Sequence, residues 1–287
     1  MNRRKFIQKS ILTGSFLSLG GIGVSSLFAK NSKASLLTYA PRLESSKGSP
    51  ITQLKHIASQ GFVAFENSEI RNRPIAQQEA MATSLKKYGL TMGTFVAHKI
   101  YWTAPNLTSG KPHYRDEFIA DIKHSITVAK RMDAKWITVV PGHIDSQLEM
   151  SYQTQNVIET LKQASTLLES HGITMVLEPF NFSNRSGLFL KTPSQAYEIC
   201  KAVNSPSCKV LFTISPQKIQ EENLIGSIEK YWDEIAYFQL ENKHNEPIAG
   251  VTDYKEVLTY IHSRGFKGVL GMNTISKNAT PQETFLS

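Results

Sequence analysis

Seven polar residues stand at or just past the ends of short apolar runs: Glu66, His98, His143, Glu178, Thr213, Gln239 and Asn273. Carboxylates, imidazoles and amides gathered around one opening suit an oxygen-liganded divalent cation or the hydroxyls of a polyol. A carboxylate there can also take a proton from a carbon beside a carbonyl. Whether the seven meet depends on the elements that carry them.

Apolar runs rich in β-branched and aromatic residues recur at Leu36–Tyr39, Phe62–Phe65, Met92–Ala97, Trp136–Val140, Thr174–Leu177, Lys209–Ile214, Ile235–Leu240 and Val269–Met272. Between them lie stretches with helical spacing: Ile51–Gln60, Ile75–Tyr88, Phe118–Met132, Thr154–Ser170, Ser194–Val203, Ile219–Trp232 and Tyr254–Arg264. Gly61, Gly89 and Gly265 each follow a helical stretch and precede a strand, where a left-handed helix stop belongs. Strand and helix alternating in this way predict parallel βα units. Eight units over about 250 residues predict a closed (β/α)8 TIM barrel of the α/β class, folded as a single domain. Reactive groups of such a barrel sit at the C-terminal strand ends, where the seven residues fall. The residues from Asn273 to Ser287 leave room only for a short helix over Thr280–Leu286, so the last helix is expected to be shortened.

The strand ends Val139-Val140-Pro141-Gly142-His143, Leu177-Glu178-Pro179-Phe180-Asn181 and Tyr237-Phe238-Gln239 occur in order. On these motifs the chain, from about Tyr39 to Met272, resembles the hydroxypyruvate isomerase-like proteins of the xylose isomerase-like TIM barrel superfamily. The resemblance implies an isomerase or epimerase of a small hydroxy-keto acid or ketose. It also implies a divalent metal, Mg or Mn, held by Glu, Asp, Gln or His, and Glu from the last four strands. The first and last carboxylates of that set move the proton on opposite faces of the substrate.

Residue by residue, the match is partial. Glu178 corresponds to the first metal ligand and catalytic carboxylate, and Gln239 to the third ligand. Thr213 stands where the family has its Asp, Pro216 where it has a substrate-contacting His, and Asn273 where it has the last Glu. The loop after the seventh strand reads Asn242-Lys243-His244-Asn245-Glu246-Pro247 and lacks the usual Arg. Glu178 alone offers one negative charge against a divalent cation, so metal binding is expected to be strongly weakened. Asn273 cannot act as a base, so catalysis is expected to be impaired. Two alternatives remain: an active isomerase or epimerase with a rebuilt site, in which Glu66, Glu241 or Glu246 shares proton work with Glu178, or a non-catalytic partner subunit of an active homologue. Glu66, His98, His143, Asn181 and Glu246 are the expected substrate-binding residues, and Tyr101-Trp102 offer aromatic faces to a sugar.

The formal charge of +8 belongs mostly to the first 34 residues. Arg3, Arg4, Lys5, Lys9, Lys30 and Lys33 lie there with no acid, leaving 26 basic against 24 acidic residues in the remainder. No basic cluster marks a nucleic-acid surface on the folded part. Arg3-Arg4 and Phe6, followed by an uncharged Gly- and Ser-rich apolar stretch from Ile11 to Phe28, resemble a twin-arginine export signal. Residues 1–34 are therefore expected to be a leader and 35–287 a periplasmic barrel, with no stable membrane insertion after processing. A small carbohydrate or hydroxy-keto acid is the expected partner, and an oligomer is open. Cys200 and Cys208, the only cysteines, read as packing residues.

Overall fold

The computed structural model describes residues 37–44, 48–180, 187–215, 223–241 and 252–272. Among these described residues eight strands occur in chain order: β1 Thr38–Pro41, β2 Ala64–Phe65, β3 Thr91–Met92, β4 Trp136–Val139, β5 Thr174–Leu177, β6 Cys208–Ile214, β7 Ile235–Leu240 and β8 Val269–Met272. Between them run α1 Pro50–Ser59, α2 Ile75–Tyr88, α3 Pro112–Met132, α4 Met150–Glu169, α5 Pro193–Val203, α6 Leu224–Tyr231 and α7 Thr252–Ser263. Pro at the first helical position suits α1, α3 and α5, because its fixed φ is preset for a helix and its missing N–H would have no partner there. The predicted glycine stops hold: Gly61, Gly89 and Gly265 have φ of 88°, 65° and 74°.

Every strand pairing is parallel. Six strands form one sheet in the order β1-β8-β7-β6-β5-β4, and β2 and β3 form a second. Two single bridges join them: Arg42 to Glu66 between the ends of β1 and β2, and Val96 to Thr138 between the end of β3 and β4. Backbone bonds brace each seam, with Glu66 N–H donating to Pro41 O at 2.8 Å and Thr138 N–H to Phe95 O at 2.7 Å. The ring is thereby complete, and the fold is the expected (β/α)8 barrel.

Alternation along each strand sends side chains to two buried faces. One set, Ala40, Ala64, Val176, Leu211, Tyr237 and Val269, packs inside the barrel with Trp136 and Ala236 against it. The other, including Phe65, Ile137, Met175, Leu177, Phe212, Phe238 and Leu270, packs outward under the helices. Strands buried on both faces read as near-continuous apolar runs, which is why they stood out in the sequence. Small Ala40 and Ala64 beside large Tyr237 let the interior fill without crowding.

Several boundaries differ from expectation, three of them near the strand ends and the helix that flank the mouth. β1 lies further along than Leu36–Tyr39, reaching Pro41. The third run pairs only at Thr91–Met92 before leaving the sheet and touching β4 again at Val96. Helix α3 starts at Pro112, six residues before the apolar pattern begins. Cys200 and Cys208 are both free and buried, with Sγ atoms 4.0 Å apart. The expected short helix over Thr280–Leu286 lies outside the described residues. Among the described residues no helix is long and apolar enough to cross a membrane.

Candidate functional site

Residues of inward parity at the C-terminal strand ends form one polar layer above the apolar plug. Glu66, buried at 1% exposure, is its centre. Arg42, the first residue after β1, places Nε and Nη2 each 3.3 Å from Glu66 Oε2. Tyr237 donates its hydroxyl to Glu66 Oε1 at 2.6 Å and accepts the Thr94 N–H at 3.3 Å. The Gln239 side chain also hydrogen-bonds to Glu66. Thr94 and Thr138 join hydroxyl to hydroxyl at 2.8 Å, carrying the polar layer across the β3–β4 seam.

Two glycines make room for this cluster. A Cβ at Gly93 would collide with the Tyr237 hydroxyl, and one at Gly271 would collide with Glu66 Oε1 and Gln239 Oε1. Strand register sets Thr213, Gln239 and Gly271 side by side at one level, since Thr213 pairs with Gln239 and Gln239 with Gly271.

The electrostatics follow from burial. Burial pushes the Glu66 carboxyl up, and the Arg42 guanidinium and Tyr237 hydroxyl pull it back. Burial also works against the charge on Arg42, but the Glu66 and Glu178 carboxylates more than offset it, so its pKa rises. Glu178, at the end of β5, is partly open at the mouth. Its surroundings nevertheless push its carboxyl up to about 8: burial dominates, Arg42 opposes, and Glu241 and Glu66 add to the rise. A carboxyl near 8 exchanges its proton at neutral pH, which general acid–base chemistry requires.

The expected site residues divide into three groups. Glu66, Glu178, Gln239 and Thr213 all border the polar layer, although Gln239 is turned onto Glu66 and Thr213 is buried at 5% exposure. The two histidines are held by backbone. His98 has Nδ1 2.9 Å from Lys99 O and accepts the Val140 N–H on Nε2 at 3.1 Å. That pairing makes it the neutral Nδ1–H tautomer, and burial lowers its pKa to about 4. His143 sets Nδ1 2.8 Å from Ile144 O and its Nε2 side against Gly187, where a Cβ would collide with the ring. Asn181, Glu246 and Asn273 lie outside the described residues, as does Pro216. Of the aromatic pair, Tyr101 donates to Glu117 at 2.7 Å, while Trp102 stacks edge-on against Phe180 at 5.6 Å, two residues past Glu178.

Sequence reasoning missed Arg42, Tyr237 and the Thr94–Thr138 pair as site residues. The signal was parity: Tyr237 is two residues before Gln239, and Arg42 is two after Ala40, both on the inward set. Placing the first strand's end at Tyr39 hid Arg42. Replacing Tyr237 by Phe should leave the Thr94 N–H and one Glu66 oxygen short of a buried partner. A loss of about 2 kcal/mol is expected, read as a thermal midpoint lower by roughly 6 °C; an unchanged midpoint would show the hydroxyl to be idle.

The described donors do not form a cage for a divalent ion. No group of three or more His, Cys, Asp or Glu side chains among the described residues could hold one. Glu178 supplies a carboxylate, but Gln239, whose amide N–H donates to Glu66, and Thr213 offer only neutral oxygens, and a guanidinium already acts on both Glu66 and Glu178.

A closed parallel barrel with a carboxylate-rich mouth belongs to the class that houses many small-molecule enzymes. The family follows from comparison: residues 54–285 match the model of the xylose isomerase-like TIM barrel family, and the chain belongs to it. Members of this family commonly use a divalent metal. A putative hydroxypyruvate isomerase from Danio rerio is 23% identical over 228 residues, covering 76% of this chain and 82% of that protein. A 2-oxo-tetronate isomerase from Cupriavidus necator is 24% identical over 186 residues, covering 64% of this chain and 72% of that one. Among solved structures, a family 2 AP endonuclease from Brucella melitensis superposes with a TM-score of 0.73 at 22% identity, covering 86% of this chain and 96% of that one. A 3-keto-D-glucoside 4-epimerase from E. coli gives 0.69 at 15%, covering 86% and 95%. At these identities the superpositions establish the fold.

Proposed function

We propose that this barrel binds a small hydroxy-keto acid or ketose at its strand-end mouth, and that its catalysis is impaired relative to the family's two-carboxylate scheme. Relatives named for isomerisation of hydroxypyruvate and 2-oxo-tetronate support the substrate class. The observation that carries the reading is the state of the four ligand-equivalent positions. Glu178 keeps its carboxylate, Gln239 is a neutral amide that donates to Glu66, Thr213 is neutral and position 273 is Asn. One carboxyl near 8 can take a proton from a carbon beside a carbonyl and return it to the same face. Delivery to the opposite face needs a second acid, which Asn273 cannot be.

The test is proton NMR of hydroxypyruvate with the purified chain. Ligand line-broadening with conversion far below about 1 per second is expected; turnover within the usual range of roughly 1 to 10³ per second would overturn the impairment. A rebuilt active site is the second reading, favoured by the raised Glu178 carboxyl and its neighbours Glu66 and Glu241. It requires conversion that persists in a chelator and disappears in Glu178→Gln. We read the first 34 residues as a twin-arginine leader that places this chemistry in the periplasm; retention of the chain in the cytoplasmic fraction would refute that.

A further inference from the structure

The mouth holds a built-in cation. Arg42 extends β1 by one bridge, follows Ala40 on the inward set, and is tied to Glu66 through two nitrogens at 3.3 Å. Its charge also acts on Glu178. The side chain stays 34% exposed while its carboxylate partner is at 1%, so part of Arg42 reaches solvent and the carboxylate does not. A guanidinium carries five N–H donors in a planar fork suited to carboxylate-like oxygens. The Glu66 contacts are made by Nε and Nη2.

A divalent ion and this guanidinium would compete for the same carboxylates. Placing both among Glu66 and Glu178 sets three positive charges against two negative ones in a partly buried space, where charges are weakly screened. The neighbouring positions agree with the guanidinium: Gln239 and Tyr237 complete the Glu66 hydrogen bonds, and Gly271 and Gly93 leave room for that arrangement.

We propose that Arg42 takes the charge-stabilising place that a divalent metal holds elsewhere in the family, offering its guanidinium to a carboxylate or enediolate oxygen of the ligand. The metal side of this inference stands alone; the ligand side rests on the hydroxy-keto acid reading above.

Thermal unfolding of the full chain with and without millimolar Mn²⁺ tests the first side. The unaltered chain should show no rise in midpoint. Arg42→Met, or Arg42→Gln should the Met variant fail to fold, leaves Glu66 and Glu178 without their shared counter-charge and should gain an Mn²⁺-dependent rise of several degrees. Adding Glu178→Ala to either variant should remove it. A gained response is something structural damage cannot produce. Mn²⁺ stabilisation of the unaltered chain, or a folded Arg42→Gln that stays blind to Mn²⁺, overturns the proposal.

Hydroxypyruvate titration in a chelator tests the second side. Affinity should fall at least about tenfold in Arg42→Gln and stay within about threefold in Arg42→Lys, which keeps the charge. Equal affinity in Arg42→Gln and the unaltered chain overturns the ligand role. No binding by the unaltered chain, with the Mn²⁺ pattern intact, would sink the substrate class and leave the internal cation standing.

Discussion

Gly271→Ala should cost this barrel about 3 kcal/mol or more, lowering its thermal midpoint by roughly 10 °C. The added methyl would collide with Glu66 Oε1 and Gln239 Oε1 and approach Glu66 Cδ to 2.6 Å. Neither partner can step aside. Glu66 is held on one oxygen by Arg42 and on the other by Tyr237, and Gln239 is tethered to the same carboxylate. Displacing Glu66 would break a partly buried ion pair and leave a fully buried carboxylate unpaired, which costs about 3 kcal/mol, the low end for buried pairs because Arg42 is partly exposed. The alternative is displacement of β8, which pairs on both sides through β1 and β7. A midpoint within about 2 °C of the parent would mean the cluster yields far more easily than its hydrogen bonds imply. Gly89→Ala serves as the control: a Cβ there meets nothing within 4 Å, so only its left-handed φ of 65° is penalised.

Glu178 should make stability depend on pH in the direction opposite to an ordinary salt-bridged acid. Its carboxyl sits near 8 when folded and near the usual 4.5 when unfolded. Between those values the folded chain holds a proton that the unfolded chain has released. Stability therefore falls as pH rises from about 4.5 to about 8 and is level on either side. Each unit of separation is worth about 1.4 kcal/mol; the carboxyl is partly open to water, so a loss of about 2 kcal/mol is expected across the window. Glu178→Gln removes the titration, so the variant should melt roughly 6 °C above the parent at pH 9 and close to it at pH 4. Parallel melting profiles for the two chains across that range would show that the carboxyl titrates normally. The same protonation matters for chemistry, because only the ionised carboxylate takes a proton from a carbon acid.

The fold was legible because every strand of a parallel barrel is buried on both faces. Runs such as Thr174–Leu177 and Val269–Met272 therefore announce themselves, and glycine stops such as Gly89 mark where each helix must end. Strand ends were harder to read. β2 and β3 pair over two residues each, too short for a period to show, and apolar composition placed the first run at Leu36–Tyr39 although pairing extends to Pro41. That shift is why Arg42 escaped notice while Glu66, Glu178 and Gln239 did not. Types and positions of groups were readable, but commitments were not. Nothing in one dimension says that Gln239 turns to Glu66, or that Val140 and Lys99 occupy both nitrogens of His98.

Arg42 and Glu66 also meet twice, once as a side-chain pair and once as the bridge that joins β2 to β1. The residues that define the pocket are thus those that seal the cylinder. This part of the mouth cannot exist in a partly assembled chain, because Glu66 reaches Arg42 only when the β1–β2 gap in the ring closes. Amide hydrogens of Leu43 and Glu66, which donate across that gap, therefore report on pocket and closure as one event. Any molecule seated in the mouth should slow their exchange with solvent together, binding the ring shut like a clasp.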